Sequence, residues 1–248
     1  MKTQITAIAA AVALTMSAAA SAQFFPFPPS SGNTGSDSTI YQDGSFNKTN
    51  VTQWGTQDSR IRQEGNANSA TVTQDDISGV ATTAPGRNDS DIDQDGNANA
   101  ATVSQLGKFN DSGVEQTGNF NTANVNQDGE SNESWVEQNG SFNISTVEQD
   151  GKNNDSYVLL NGNANWSMVA QNGDQLDSSI LTTGDFNRHA VTQSGYGHDS
   201  YIETNGSFNS HTVNQSGTLP GSFFSNGQHN SNIQTYGNFN TNVVNQAH

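Results

Sequence analysis

Nine serines, at positions 38, 59, 90, 112, 134, 156, 178, 200 and 231, open nine copies of one pattern, Ser-x-(Ile/Val)-x-Gln-x-Gly-x-x-Asn-x-x-x-Val-x-Gln. A fixed internal period restricts a chain to stacked-repeat architectures, because one short unit cannot bury its apolar face alone. The units from Ser90 to Ser200 follow one another at 22 residues, whereas the second and eighth span 31, nine more each (31 − 22). The additions contain Pro85-Gly86 and Pro220-Gly221, which places loop insertions near residues 75–86 and 216–227.

Positions within the unit set the local geometry. A turn glycine stands at Gly44, Gly65, Gly96, Gly118, Gly140, Gly162, Gly184, Gly206 and Gly237, and three residues later come Asn47, Asn68, Asn99, Asn121, Asn143, Asn165, Asn187, Asn209 and Asn240. Four residues on are Val51, Val72, Val103, Val125, Val147, Val169, Val191, Val213 and Val244. Two residues further are Gln53, Gln74, Gln105, Gln127, Gln149, Gln171, Gln193, Gln215 and Gln246. The earlier Gln of the unit is present as Gln42, Gln63, Gln94, Gln116 and Gln138, and becomes Leu160, Thr182, Thr204 and Thr235 in the last four units. Both halves alternate with period two, the mark of a strand with one buried face.

Each unit therefore reads as strand, turn, strand, turn. The expected fold is all-β: a parallel two-sheet β-solenoid of nine rungs, one 22-residue repeat per rung. Rungs about 4.8 Å apart give a stack roughly 40 Å long. Ile and Val form a dry strip between the sheets, and the inward Gln and Asn bond along the stack as amide ladders. A buried amide without a partner costs about 1–3 kcal/mol, so strict inward spacing implies a partner for each.

Composition agrees. Only 31% of the 248 residues are hydrophobic, and 33 Asn plus 20 Gln fill 53 positions. The absence of cysteine removes disulfides and thiol chemistry, and a net charge of −16 opposes a phosphate-backbone partner. No nucleophile elbow, P-loop, dinucleotide glycine motif or pocket-forming acid/base pair is present, so neither an enzyme nor a cofactor is expected.

Residues 1–22 carry Lys2, an apolar run from Ile5 to Leu14 and a small-residue end at Ala20-Ser21-Ala22, the layout of a secretory signal peptide. The run is too short to span a bilayer. Residues 23–37, with Pro26, Pro28 and Pro29, read as a flexible leader.

The run Gln-x-Gly-x-x-Asn-x-Ala-x-Val-x-Gln, complete at Gln63–Gln74, Gln94–Gln105 and Gln116–Gln127, resembles the repeat of the curlins, the subunits of bacterial curli fibres. The likeness covers residues 38–246. It implies a secreted functional amyloid of the biofilm matrix of a Gram-negative bacterium, active in surface adhesion and cell aggregation. Its implied partners are further copies of itself, a minor curlin nucleator, and an outer-membrane secretion pore with accessory factors, and it implies that residues 23–37 are a secretion or targeting leader directing the chain to that pore. The alternatives are the minor nucleator itself, or a monomeric solenoid binding ice or polysaccharide. Ice binding wants a flat Thr array, and the outward positions sampled at Arg60, Asp91, Trp135, Tyr157 and Leu159 do not form one.

Other constellations are set against this frame. Asp91-x-Asp93-x-Asp95-Gly96 imitates the start of an EF-hand loop, but the position of its bidentate Glu is Thr102. The three carboxylates are thus a calcium candidate by spacing alone, and no metal site is expected. Arg60 and Arg62 fall one rung before Asp91 and Asp93, where ion pairs would form. Asp93, Glu115 and Glu137 stack on successive rungs as like charges that restrain assembly. His189 and His211 share one inward column, as neutral imidazoles. Phe46, Phe120, Phe142, Phe186, Phe208 and Phe239 are expected to cover the turn.

Overall fold

A computed structural model describes residues 35–76, 87–217 and 228–247. The signal-peptide segment, most of the leader and most of both insertions lie outside the described residues.

Among the described residues the period-two alternation becomes eighteen strands. In chain order they are β1 (Asp37–Asp43), β2 (Lys48–Trp54), β3 (Asp58–Asn66), β4 (Ser69–Asp75), β5 (Asp89–Asn97), β6 (Ala100–Lys108), β7 (Asp111–Asn119), β8 (Thr122–Glu130) and β9 (Glu133–Ser141). The second half adds β10 (Ile144–Lys152), β11 (Asp155–Asn161), β12 (Trp166–Asp174), β13 (Asp177–Thr183), β14 (Arg188–Tyr196), β15 (Asp199–Asn205), β16 (Ser210–Ser216), β17 (Asn230–Tyr236) and β18 (Thr241–Ala247). Odd strands form one nine-stranded parallel sheet and even strands another, each in sequence order. This is the two-sheet β-solenoid that the repeat predicts. β1 begins at Asp37, one residue inside the segment read as leader, and Ser36 Oγ donates to the Gly55 carbonyl at 2.7 Å.

Pairing is in register throughout. Gln63 aligns with Gln94, Gln94 with Gln116, and Val125 with Val103 and Val147. A one-residue slip would turn every inward side chain to solvent, so the apolar columns fix the register. The dry strip runs through Ile61, Ile92, Val114, Val136, Val158, Ile180 and Ile202 of the odd sheet and Val51 to Val213 of the even sheet, all buried.

The turns require their glycines. Gly118 has φ +116°, and a Cβ there would lie 1.9 Å from the carbonyl oxygen of Gly140 on the next rung. Both the left-handed conformation and the backbone approach exclude a side chain.

Candidate functional site

The working parts of this molecule are its columns. The Asn column is saturated by geometry: Asn121 Nδ2 donates to the Gly140 carbonyl at 2.9 Å, and Asn121 Oδ1 accepts the backbone N–H of Asn143 at 3.0 Å. The same exchange starts with Asn47 and Asn68 and ends with Asn209 and Asn240.

The Gln column of the even strands runs unbroken through nine rungs. Gln53 Nε2 donates to Gln74 Oε1 at 2.8 Å, and each member repeats this to the next until Gln215 Nε2 reaches Gln246 Oε1 at 2.9 Å. Every amide points the same way, so the ladder begins on Gln53 Oε1 and ends on Gln246 Nε2. The odd-strand column is shorter. It passes from Gln42 through Gln63, Gln94 and Gln116 to Gln138, whose Nε2 turns to Ser145 Oγ and the Thr122 carbonyl, both 2.9 Å.

Where that column stops, its opposite number changes too. Each odd-strand position faces the residue seven places later across the interior, as the contacts Gln42 to Thr49 (2.6 Å) and Gln138 to Ser145 show. In the second to fourth units a long Gln thus opposes Ala70, Ala101 or Ala123. In the seventh to ninth, Thr182 opposes His189, Thr204 opposes His211, and Thr235 accepts from Asn242 at 3.1 Å. The two sequence departures are one exchange that conserves interior volume, as a close-packed core demands.

The exchange has a polar cost. His189 and His211 stack with centroids 5.0 Å apart. Asn242 Nδ2 donates to His211 Nδ1 at 3.2 Å, which leaves the His211 proton on Nε2, without a partner. Both nitrogens of His189 and the hydroxyls of Thr182 and Thr204 are also buried without partners. Burial, with His211 adjacent, pushes the His189 pKa down to about 3, so the imidazole is neutral.

Two columns escaped the sequence reading. At the second turn, Gln57, Asn88, Asn110, Asn132 and Asn154 form another ladder, with Asn110 N–H donating to Asn88 Oδ1 at 2.9 Å and Asn132 N–H to Asn110 Oδ1 at 3.1 Å. Leu176 interrupts it, and His198 resumes it in place of an Asn: its Nδ1 accepts the His229 N–H at 3.1 Å, while Nε2 faces the Ser194 carbonyl at the same distance. The signal was a second Gly-x-x-Asn at 107–110, 129–132 and 151–154. The other is a row of acids one residue before each serine. Asp37, Asp58, Asp89, Asp111, Glu133, Asp155, Asp177 and Asp199 align on successive rungs, and Asn230 ends the row. Burial raises the pKa of Asp58, Asp111, Asp155 and Asp177.

The remaining sequence features resolve as follows. Arg60 pairs with Asp91, and Arg62 with Asp93 at 2.9 Å, so two of the three calcium-candidate carboxylates are engaged by arginines. Asp95 aligns with Glu64 and Thr117, and no group of three potential metal ligands occurs among the described residues. Asp93, Glu115 and Glu137 do stack in register, and burial followed by Glu137 and Asp93 raises the Glu115 pKa. The turn phenylalanines are exposed, Phe46 at 88%, and Phe120 stacks on Phe142, and Phe208 on Phe186 and Phe239, as an outward ladder. They sit at φ near +57 to +60°, which turns the ring away from the interior. The residues used to dismiss a flat polar array, Arg60 to Leu159, all belong to the odd sheet; the even sheet has a different face.

Parallel in-register strands with laddered amides and a dry strip define a structural β-solenoid. This chain carries the curlin associated repeat, whose family model matches residues 87–118 and 118–151, and the resemblance to the curlin family holds. No curated protein matches it. The repeat supports a structural subunit of the curli type and implies self-assembly into extracellular fibres. No helix among the described residues is long and apolar enough to cross a membrane.

Proposed function

We propose that the chain is the repeating subunit of a curli-type amyloid fibre in the biofilm matrix, growing by head-to-tail stacking of rungs and serving adhesion and cell aggregation. The observation that carries this is the polarity of the ladders. Gln246 Nε2 at one end and Gln53 Oε1 at the other are the two halves of the contact that the eight internal steps make. Asn240 likewise stands where its Nδ2 and Oδ1 meet the Gly44 carbonyl and the Asn47 N–H of a following copy, the contacts Asn209 makes to Gly237 and Asn240. Exposed edges of β1 and β2, and of β17 and β18, offer backbone groups to the same copy. A heterologous contact of this kind does not close and gives a filament. With 24 acidic against 8 basic residues, the chain repels its own copies and stays soluble before assembly.

In this reading residues 1–22 are removed on export, residues 23–37 address an outer-membrane pore, and a minor curlin starts growth at the cell surface. Fibre diffraction on the chain from Gln23 onward, after quiet incubation at neutral pH, tests it. Reflections near 4.7 and 10 Å from filaments that seed fresh protein are expected. A β-rich monomer that persists for days would overturn the proposal.

A further inference from the structure

The two outer faces of the solenoid differ in charge. In the two central outward columns of the odd sheet, seven of eighteen positions are charged: Arg60, Arg62, Asp91, Asp93, Glu115, Glu137 and Glu203. The equivalent columns of the even sheet, from Asn50 and Thr52 to Val243 and Asn245, contain one charge in eighteen, Glu148. Its other members are Thr, Asn, Ser, Ala and Val, short side chains, with the flexible Met168 among them, over which a second sheet can approach to about 10 Å. Ile144 at 43% and Val243 at 61% exposure lie on this face.

We infer that the even-sheet face is a lateral interface on which a second stack of the same chain seats face to face; the inference rests on the fibre reading above. A net charge of −16 makes copies repel, and the even-sheet face is the one broad surface among the described residues where two stacks meet almost without charge. Its flanks are complementary. One bordering column carries Lys48 and Arg188 and no acid; the other carries Asp75, Asp128 and Asp150 and no base. A two-fold axis along the stack lays each basic flank over the partner's acidic flank. Odd-face pairing would instead bring carboxylates against carboxylates. The area suffices: about 40 Å of stack by about 23 Å of strand is roughly 900 Å² a side, within the range of stable protein interfaces.

Mass per length of assembled fibres, measured by scanning transmission electron microscopy, tests this. Wild-type fibres are expected at twice the value of one stack. The double substitution Asn124→Asp with Asn126→Asp on the even face should halve it while the 4.7 Å reflection and seeding persist. Ser179→Asp on the odd face should leave it unchanged, and Glu148→Gln should keep fibres paired at salt concentrations where the wild type separates. Wild-type fibres of single-stack mass, an even-face variant that stays paired, or an odd-face variant that halves as well would each overturn the inference. Single stacks that pellet with microcrystalline cellulose, and lose this in the even-face variant, would overturn it in favour of a neutral glycan. Absence of cross-β filaments altogether would sink the fibre reading and the pairing with it.

Discussion

From β1 to β9 the odd-strand interior is a chain of glutamines donating to one another, and from β11 to β17 the same column is Leu160, Thr182, Thr204 and Thr235. The first region satisfies its amides along the stack and stands small residues opposite. The second fills the space from the other sheet with His189, His211 and Asn242 and leaves the His189 nitrogens, His211 Nε2 and the Thr182 and Thr204 hydroxyls without partners, beyond the inward serine hydroxyls that lack one in both regions. Backbone register is the same in both, and so is the even-strand Gln ladder. What the solenoid requires at a rung is therefore a conserved cross-section; the chemistry that supplies it can trade sides.

The elements shared by both regions should be the most sensitive and equally so. Gly118→Ala and Gly184→Ala each drive a Cβ to within 2.1 Å of the next rung's carbonyl at φ above +110°, and each should cost more than about 4 kcal/mol. The critical concentration for assembly reports this, since it rises about tenfold per 1.4 kcal/mol. A large difference between the two variants would mean that the regions differ in backbone as well as in filling.

Next in size is the exchange itself. Thr182→Gln overfills the space beside His189 and should cost about 1–3 kcal/mol, and His189→Ala leaves a cavity costing about 2–4 kcal/mol. Together they rebuild the Gln/Ala pairing of the second to fourth units, so the double variant should recover at least half of the summed loss. A double-mutant cycle on critical concentration measures the coupling, and strict additivity would show that the two departures are unrelated.

Much of this was legible from the sequence. In-register columns of Gln, Asn, Val and Gly have one simple stacking solution, which yields the fold, the ladders and the Arg60–Asp91 and Arg62–Asp93 pairs. The complementarity of Thr182 with His189 was present as two separate departures, and only the cross-interior pairing joins them. The second-turn Asn column and the row from Asp37 to Asp199 were also printed in the chain, but they fall outside a unit framed from serine to the last Gln. The face of the even sheet was missed because period two says that alternate residues point outward without saying which sheet each joins. The conformation at Phe120 needed coordinates, since nothing in Gly-x-Phe-Asn announces φ +57°.

Acid should act in opposite directions on the carboxylate columns, which include Asp155 and Asp177 of the second region, and on the histidine column confined to it. Asp111 and Glu115 have folded pKa values raised by burial and neighbouring carboxylates, so the native state takes up protons before the unfolded chain and gains stability as pH falls from 7 toward 4. His189 has its folded pKa lowered to about 3 against about 6.5 unfolded. Its contribution is complete above pH 6.5 and is lost as pH falls below that, by about 2 kcal/mol at pH 5. Asp111→Asn with Glu115→Gln should therefore flatten the acid-side gain, while His189→Asn with His211→Asn, which copies the Asn242 rung, should enlarge it. Assembly lag and critical concentration between pH 7 and pH 4 give the answer; identical profiles for the two double variants would remove the electrostatic distinction.

The smallest effect tests the outward phenylalanines, and here the sign should change along the stack. A non-glycine residue in the left-handed region costs roughly 1 kcal/mol, a strain that Phe109 and Phe208 bear alike at φ +57° and +59°. Phe109 precedes Asn110 in the second-turn column, where Arg87 and Ser131 hold the equivalent places on the rungs either side, so it has no ring neighbour, whereas Phe208 lies between Phe186 and Phe239 at 5.0 and 5.1 Å. Aromatic stacking contributes about 0.5–1.5 kcal/mol per pair. Phe109→Gly should then be neutral or stabilising, because it relieves strain and loses no ring stack. Phe208→Gly gives up two stacks for the same relief and should cost up to about 1 kcal/mol. If both glycine variants lower the critical concentration equally, stacking offsets none of the strain, and the ring ladder is tolerated by the fold without stabilising it.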